Sequence, residues 1–126
     1  MQYEVVNDVE DVKSEKSFKF AVSIVNAVRV IKERTREWEL CNQLLRSGTS
    51  IGSNIAEANY AQSDKDFLSK LKIALKEANE TKYWLRLMRA TEMINDEEAK
   101  NLITDADELM RILTSVINTK ETNMKR

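Results

Sequence analysis

The chain has no histidine and a single cysteine, Cys41. Imidazole acid–base catalysis, Ser–His and Cys–His nucleophile pairs and Glu-x-x-His metal ligands therefore lie outside its chemistry. Cys41 stands beside Leu40 and at helical spacing from Leu44, which is the setting of a small buried hydrophobe rather than of a nucleophile. The polar residues with the most regular spacing are Gln43, Arg46, Ser50, Asn54 and Glu57, at steps of three or four along one helix face. Such a stripe serves either as a hydrogen-bond and ion-pair network or as the wall of a ligand pocket. Arg46 and Glu57 are eleven residues apart, about 16 Å along a helix, so they cannot pair with each other. Glu77, Lys76 or Glu80 on the following helix, or a second subunit, are the candidate partners. The stripe predicts that Arg46, Asn54 and Glu57 are substantially buried.

Both glycines of the protein, Gly48 and Gly52, interrupt the same segment. A glycine inside a helix costs about 1 kcal/mol relative to alanine, so two of them mark a place where another backbone comes close. Ala56 continues the line of small residues, with Ala74 and Ala78 as candidate opposing residues. The spacing lacks the Gly-Lys-Ser/Thr ending and the preceding strand of a phosphate-binding loop, and Arg46, Asn54 and Glu57 do not suit a lipid-facing helix pair.

The second polar signal is cationic. Between Lys65 and Arg89 seven bases face three acids, whereas between Glu92 and Glu108 seven acids face one base. Lys65, Lys72, Lys76 and Arg86 fall near one line of a helix, with Lys82 and Arg89 close to it, and together they form a candidate nucleic-acid contact. Tyr83 and Trp84 lie nearby and suit either base stacking or packing against a neighbouring helix. The acids that follow suit attraction to the basic helix within the bundle or between subunits.

Zero prolines, two glycines and 33% charged residues favour a soluble all-helical domain over a sheet with tight turns. The spacing predicts four amphipathic helices: about 14–33, with Phe20, Ile24, Ala27 and Ile31 in line; 36–61; one opened by Ser63 and Asp66; and one opened by Asn95 and Glu98. Short connections make neighbours antiparallel, giving an up-down-up-down four-helix bundle over 14–118. Residues 1–13 read as an acidic mobile tail and 119–126 as a polar tail. No apolar run approaches the ~20 residues of a membrane span and no secretion signal is evident, so a cytoplasmic location is expected.

Gln43-Leu44-Leu45-Arg46-Ser47, Ser50-Ile51, Asn54-Ile55-Ala56-Glu57-Ala58, Phe67-Leu68, Leu71-Lys72-Ile73-Ala74 and Lys76-Glu77-Ala78 together resemble a known family. It is the four-helix bundle protein family encoded in intervening sequences of bacterial 23S ribosomal RNA genes. The resemblance implies a left-handed bundle assembled into a ring-like homopentamer, with no established enzymatic activity. A related branch, the accessory variability proteins of diversity-generating retroelements, is strongly basic and binds a reverse transcriptase and nucleic acid, whereas this chain carries a net charge of −1. The family usually has a proline near the start of the second helix; here Thr35 is the nearest candidate cap.

Two functions are consistent with these residues. One is a non-enzymatic homo-oligomeric scaffold or adaptor; the other is an RNA- or DNA-binding accessory protein working through Lys65, Lys72, Lys76, Lys82, Arg86 and Arg89. Neither calls for a cofactor, a metal or a small-molecule substrate.

Overall fold

The computed structural model describes residues 11–126, which form α1 (Val12–Thr35), α2 (Trp38–Ala58), α3 (Asp64–Ala90) and α4 (Asp96–Met124). Each helix packs against its neighbours in the chain, α4 closes back on α1, and diagonal pairs make no close backbone approach. The result is an all-α antiparallel four-helix bundle whose loosest seam lies between α1 and α4. Ile24 and Ile31 of α1, Leu44, Ile51 and Ile55 of α2, Leu71, Leu85 and Met88 of α3, and Leu109 and Leu113 of α4 are fully enclosed. Each such side chain contributes about 1.5–3 kcal/mol by leaving water.

Caps set the helix starts. Asp11 accepts from the Ser14 backbone N–H at 3.2 Å and from Lys13 Nζ at 2.9 Å, and Asn59 Nδ2 at the end of α2 donates to it at 3.2 Å. Helix α1 therefore begins at Val12, inside the segment expected to be a tail; residues 1–10 of that tail lie outside the described residues. Ser63 Oγ accepts from Asp66 N at 3.0 Å, and Asn95 with Glu98 forms a reciprocal capping box at 2.8 Å in both directions, as their spacing predicts.

Other boundaries differ from the expectation as well, and α2 ends at Ala58 rather than at 61. Helix α4 continues past Asn118 to Met124 because its last turns are tied to α3, through Lys120 to Asp64 at 2.8 Å and Glu121 to Lys72 at 2.9 Å. Helix α2 begins at Trp38, and its cap residue is Glu37, which makes no side-chain capping bond. Thr35 instead closes the α1–α2 corner: its hydroxyl donates to Ile31 O at 2.8 Å and accepts from Glu37 N at 3.2 Å. Arg36 turns that corner with φ 61°, and Glu92 turns the α3–α4 corner with φ 61°, a left-handed conformation that glycine would adopt more cheaply.

The glycines do mark a close approach, but to α1 rather than to Ala74 and Ala78 of α3. A Cβ built on Gly48 would lie 2.9 Å from both Cγ1 and Cγ2 of Ile24. At Gly52 it would lie 3.4 Å from the Ser17 backbone oxygen, which is ordinary contact. Ala56 is exposed and takes no part in this contact, because it lies on the outer side of α2, turned from the core.

Two consequences are measurable. Gly48→Ala forces Ile24 to move and is expected to lower stability by about 1–3 kcal/mol, whereas Gly52→Ala gains helix propensity and is expected to be neutral or stabilising by up to about 1 kcal/mol. Chemical denaturation of the two variants checks this, and equal effects would refute it. The second consequence is acid sensitivity. Burial pushes the Asp11 carboxyl up, but the hydrogen bonds from Ser14 and Lys13 and the Lys13 charge outweigh it and hold it below its ordinary value. The hydrogen bond from the Asn95 backbone, aided by Arg34, likewise lowers Glu98 despite some desolvation. Carboxyls depressed in the folded state stabilise it above their unfolded pKa of about 4 and lose that contribution as pH falls through the folded value. The stability advantage of the parent over an Asp11→Ala, Glu98→Ala variant is therefore expected at neutral pH and should shrink to zero in acid.

Candidate interaction surfaces

The polar stripe of α2 runs along the α2–α3 groove, and the structure divides it into parts with different partners. Arg46 reaches across to α3, where its guanidinium contacts Glu77 at 3.1 Å and also bonds Glu80; Nε donates to Gln43 Oε1 at 3.4 Å. The hydrogen bond to Glu80 and the charges of both carboxylates hold Arg46 protonated above its ordinary pKa, against a smaller effect of desolvation. Ser50 and Asn54 look inward to their own helix: Ser50 Oγ donates to Arg46 O at 2.6 Å and Asn54 Nδ2 to Ser50 O at 2.8 Å. Glu57 pairs with Lys70 of α3 at 3.4 Å.

The expected burial does not hold in the protomer. Arg46 keeps 48% of its side chain exposed and Glu57 60%, while Asn54 is half-buried. The reason is register: these positions sit on the outer shoulder of α2, so their charges reach α3 over the rim of the bundle rather than through its core. The buried polar contact lies one position inward, between Ser47 and Thr81. Thr81 Oγ1 donates to Ser47 Oγ at 3.0 Å, and each residue is fully enclosed. Sequence reasoning missed this pair; its only signal was a hydroxyl at each of two otherwise apolar positions.

The cations of α3 divide in the same manner. Lys82 is half-buried against Asp107 of α4 at 2.6 Å, and Lys72 is exposed but paired with Glu121. Lys65, Lys76, Arg86 and Arg89 are exposed, with no ion pair to any described residue. Tyr83 is exposed and meets Trp84 edge-on at 5.3 Å between centroids, whereas Trp84 packs on the core with its indole N–H buried and without a hydrogen-bond partner among the described residues.

Chemically, these side chains offer hydrogen-bonding and charged groups. Cys41 is buried, and burial, the largest effect, raises its thiol pKa, which suppresses the nucleophilic thiolate. No group of three or more Cys, Asp or Glu side chains among the described residues is placed to hold a metal ion, and none of their helices is long and apolar enough to cross a membrane. The concavities are shallow, as along Lys65, Leu68, Ser69, Lys72, Ile73 and Lys76.

The exposed and buried parts of the α2–α3 groove predict opposite mutational costs. Glu57→Ala removes one solvent-screened pair and is expected to change stability by less than about 1 kcal/mol. Thr81→Val leaves the enclosed Ser47 hydroxyl without its interhelical partner and is expected to cost about 1–3 kcal/mol. Thermal and denaturant unfolding of both variants measures the contrast, and a reversed order would contradict this division.

A family model described as 23S rRNA-intervening sequence protein matches residues 12–115, which takes in α1, α2, α3 and the greater part of α4. No curated protein matches the chain. Among solved structures, a protein of unknown function from the S23 ribosomal protein family of Bacteroides thetaiotaomicron is 49% identical. The match covers 84% of this chain and 98% of that one, with a TM-score of 0.83. The family model's match over most of the chain and the 49% identity to a relative covered almost whole thus identify the chain as a member of the 23S rRNA-intervening sequence protein family.

Proposed function

We propose that the protein is a non-enzymatic, cytoplasmic scaffold that acts as a homo-oligomer, in the ring of five that the family resemblance implies. The observation that carries this reading is the apolar surface of α1. Phe18, Val22 and Val25 recur at steps of four and three on the side turned from the core; Phe18 is 46% exposed and the two valines are half-buried. Val30, on another side of α1, is 55% exposed. Helix α2 spends Leu44, Ile51, Ile55 and Ala58 on the core, and the surplus apolar surface stands on α1 beside the loosest seam. Apolar stripes of this kind favour burial against a second protein surface, and a copy of the same chain is present at the highest effective supply. The chemistry of the surface supports the non-enzymatic part: it offers hydrogen-bonding and charged groups without histidine, an activated thiol or a deep cleft.

Light scattering tests the reading. The expected particle at micromolar concentration is about five times the 14.6 kDa chain mass. A Phe18→Glu, Val22→Glu variant should dissociate while keeping its helical circular dichroism. A parent protein that scatters as a single 14.6 kDa chain would overturn the proposal.

A further inference from the structure

We infer that the outward stripe of α3 is a binding track for the sugar–phosphate backbone of single-stranded nucleic acid. Lys65, Lys72, Lys76 and Arg86 recur on the α3 face opposite the core, and all four are exposed. Ser69, Asn79 and Tyr83 fill the positions between them at the same alternating steps of three and four, and they too are exposed. The stripe thus offers hydrogen-bond donors along about 32 Å of helix without one carboxylate among its members. Lys72 and Lys76 are one turn apart, close enough to grip neighbouring phosphates.

The width of the track selects the partner. Carboxylates border it on both sides: Asp66, Glu77 and Glu80 toward α2, and Asp107 and Glu121 toward α4. A duplex carries one charge per ~1.7 Å of axis on two strands, and a single line of cations on one helix reaches only one of them. A single strand fits between the bordering acids. Tyr83, 57% exposed and steadied by its edge contact with Trp84, and the exposed Ile73 add surfaces on which a base can rest between phosphate contacts. The acidic helix α4 of another copy is a weaker competitor, because Asp107, Glu108, Glu121 and Glu98 are already paired with Lys82, Lys16, Lys72 and Arg34 of their own chain.

This inference does not depend on self-assembly, since the track is complete on one protomer. The test is fluorescence anisotropy with labelled oligo(U), oligo(dT) and a duplex, each about 20 nucleotides long, with particle mass followed separately. Four phosphate contacts to a single strand give a log–log salt slope of about −2.8, so affinity should fall about 50-fold from about 50 to about 200 mM salt. The two single strands should bind alike, in the roughly 10⁻⁴–10⁻⁶ M range of sequence-independent contacts, and the duplex more weakly. Lys76→Glu with Arg86→Glu reverses two cations that have no ion pair to any described residue; it should weaken binding at least tenfold and halve the slope. Tyr83→Ala should weaken it about tenfold with the slope unchanged. Absence of binding to the parent at about 100 μM would overturn the inference, as would a duplex that binds as tightly as the single strands or a double reversal that leaves affinity intact.

Discussion

The bundle depends on the distance at which α1 meets α2, and that distance is set where Ile24 lies against the bare backbone of Gly48. Any side chain at Gly48 would overlap both branches of the isoleucine. The contact is dry and unyielding: Ile24 has no exposed surface, and its neighbours Phe20, Val28 and Ile31 are buried on the same face of α1. With α1 drawn to α2 in this way, its opposite flank is left less well packed on α4 and its apolar outer residues remain in view of solvent. The same contact that builds the protomer core therefore leaves the surface on which the assembly proposal rests.

Charge is arranged around this core by consumption. The acids of α4 meet bases from α1 and α3, and the acids of α3 meet Arg46 of α2, so most carboxylates next to an interhelical rim have a partner within the chain. Solvent-exposed pairs of this kind contribute little individually to stability. Their larger effect is on what remains. Neutralising the flanks leaves the outer line of α3 as a cationic ridge even though the whole chain has a net charge of −1. Net charge alone is a poor guide to such a surface, because it averages over faces that a partner never sees together.

The helices and the starts of α3 and α4 were legible in the sequence because periodicity and capping are local. Phe20, Ile24 and Ile31 fall on one buried line, Asn95 and Glu98 close the capping box that their spacing implies, and Arg46 finds the Glu77 and Glu80 named as its candidates. What periodicity does not supply is rotation of one helix against another. A helix position at the edge of the apolar stripe turns inward or outward by a few tens of degrees, which is why Glu57 and Ala56 proved exposed while Ser47 was enclosed. The choice of Ile24 rather than Ala74 or Ala78 as the neighbour of Gly48 is of the same kind. It follows from which helix crosses nearest, and that is a property of the whole packing.

One ring links the chain's beginning, middle and end. Lys13 Nζ lies 5.9 Å and Lys120 Nζ 5.4 Å from the centroid of Phe67, which itself packs on the core from the first turns of α3. Lys120 also holds Asp64, and Asn59 holds Asp11, so the start of α1, the end of α2, the start of α3 and the last turns of α4 share one set of contacts. Helix ends ordinarily fray one at a time and cheaply. Here fraying at one pole is a joint event, because opening any of these termini uncovers the ring that the others use. The opposite pole has two corners, turned at Arg36 and Glu92. Arg34 joins them, donating to Met93 O at 2.7 Å and pairing with Glu98, so each pole is closed by contacts that cross from one helix pair to the other and opening at either end engages both pairs.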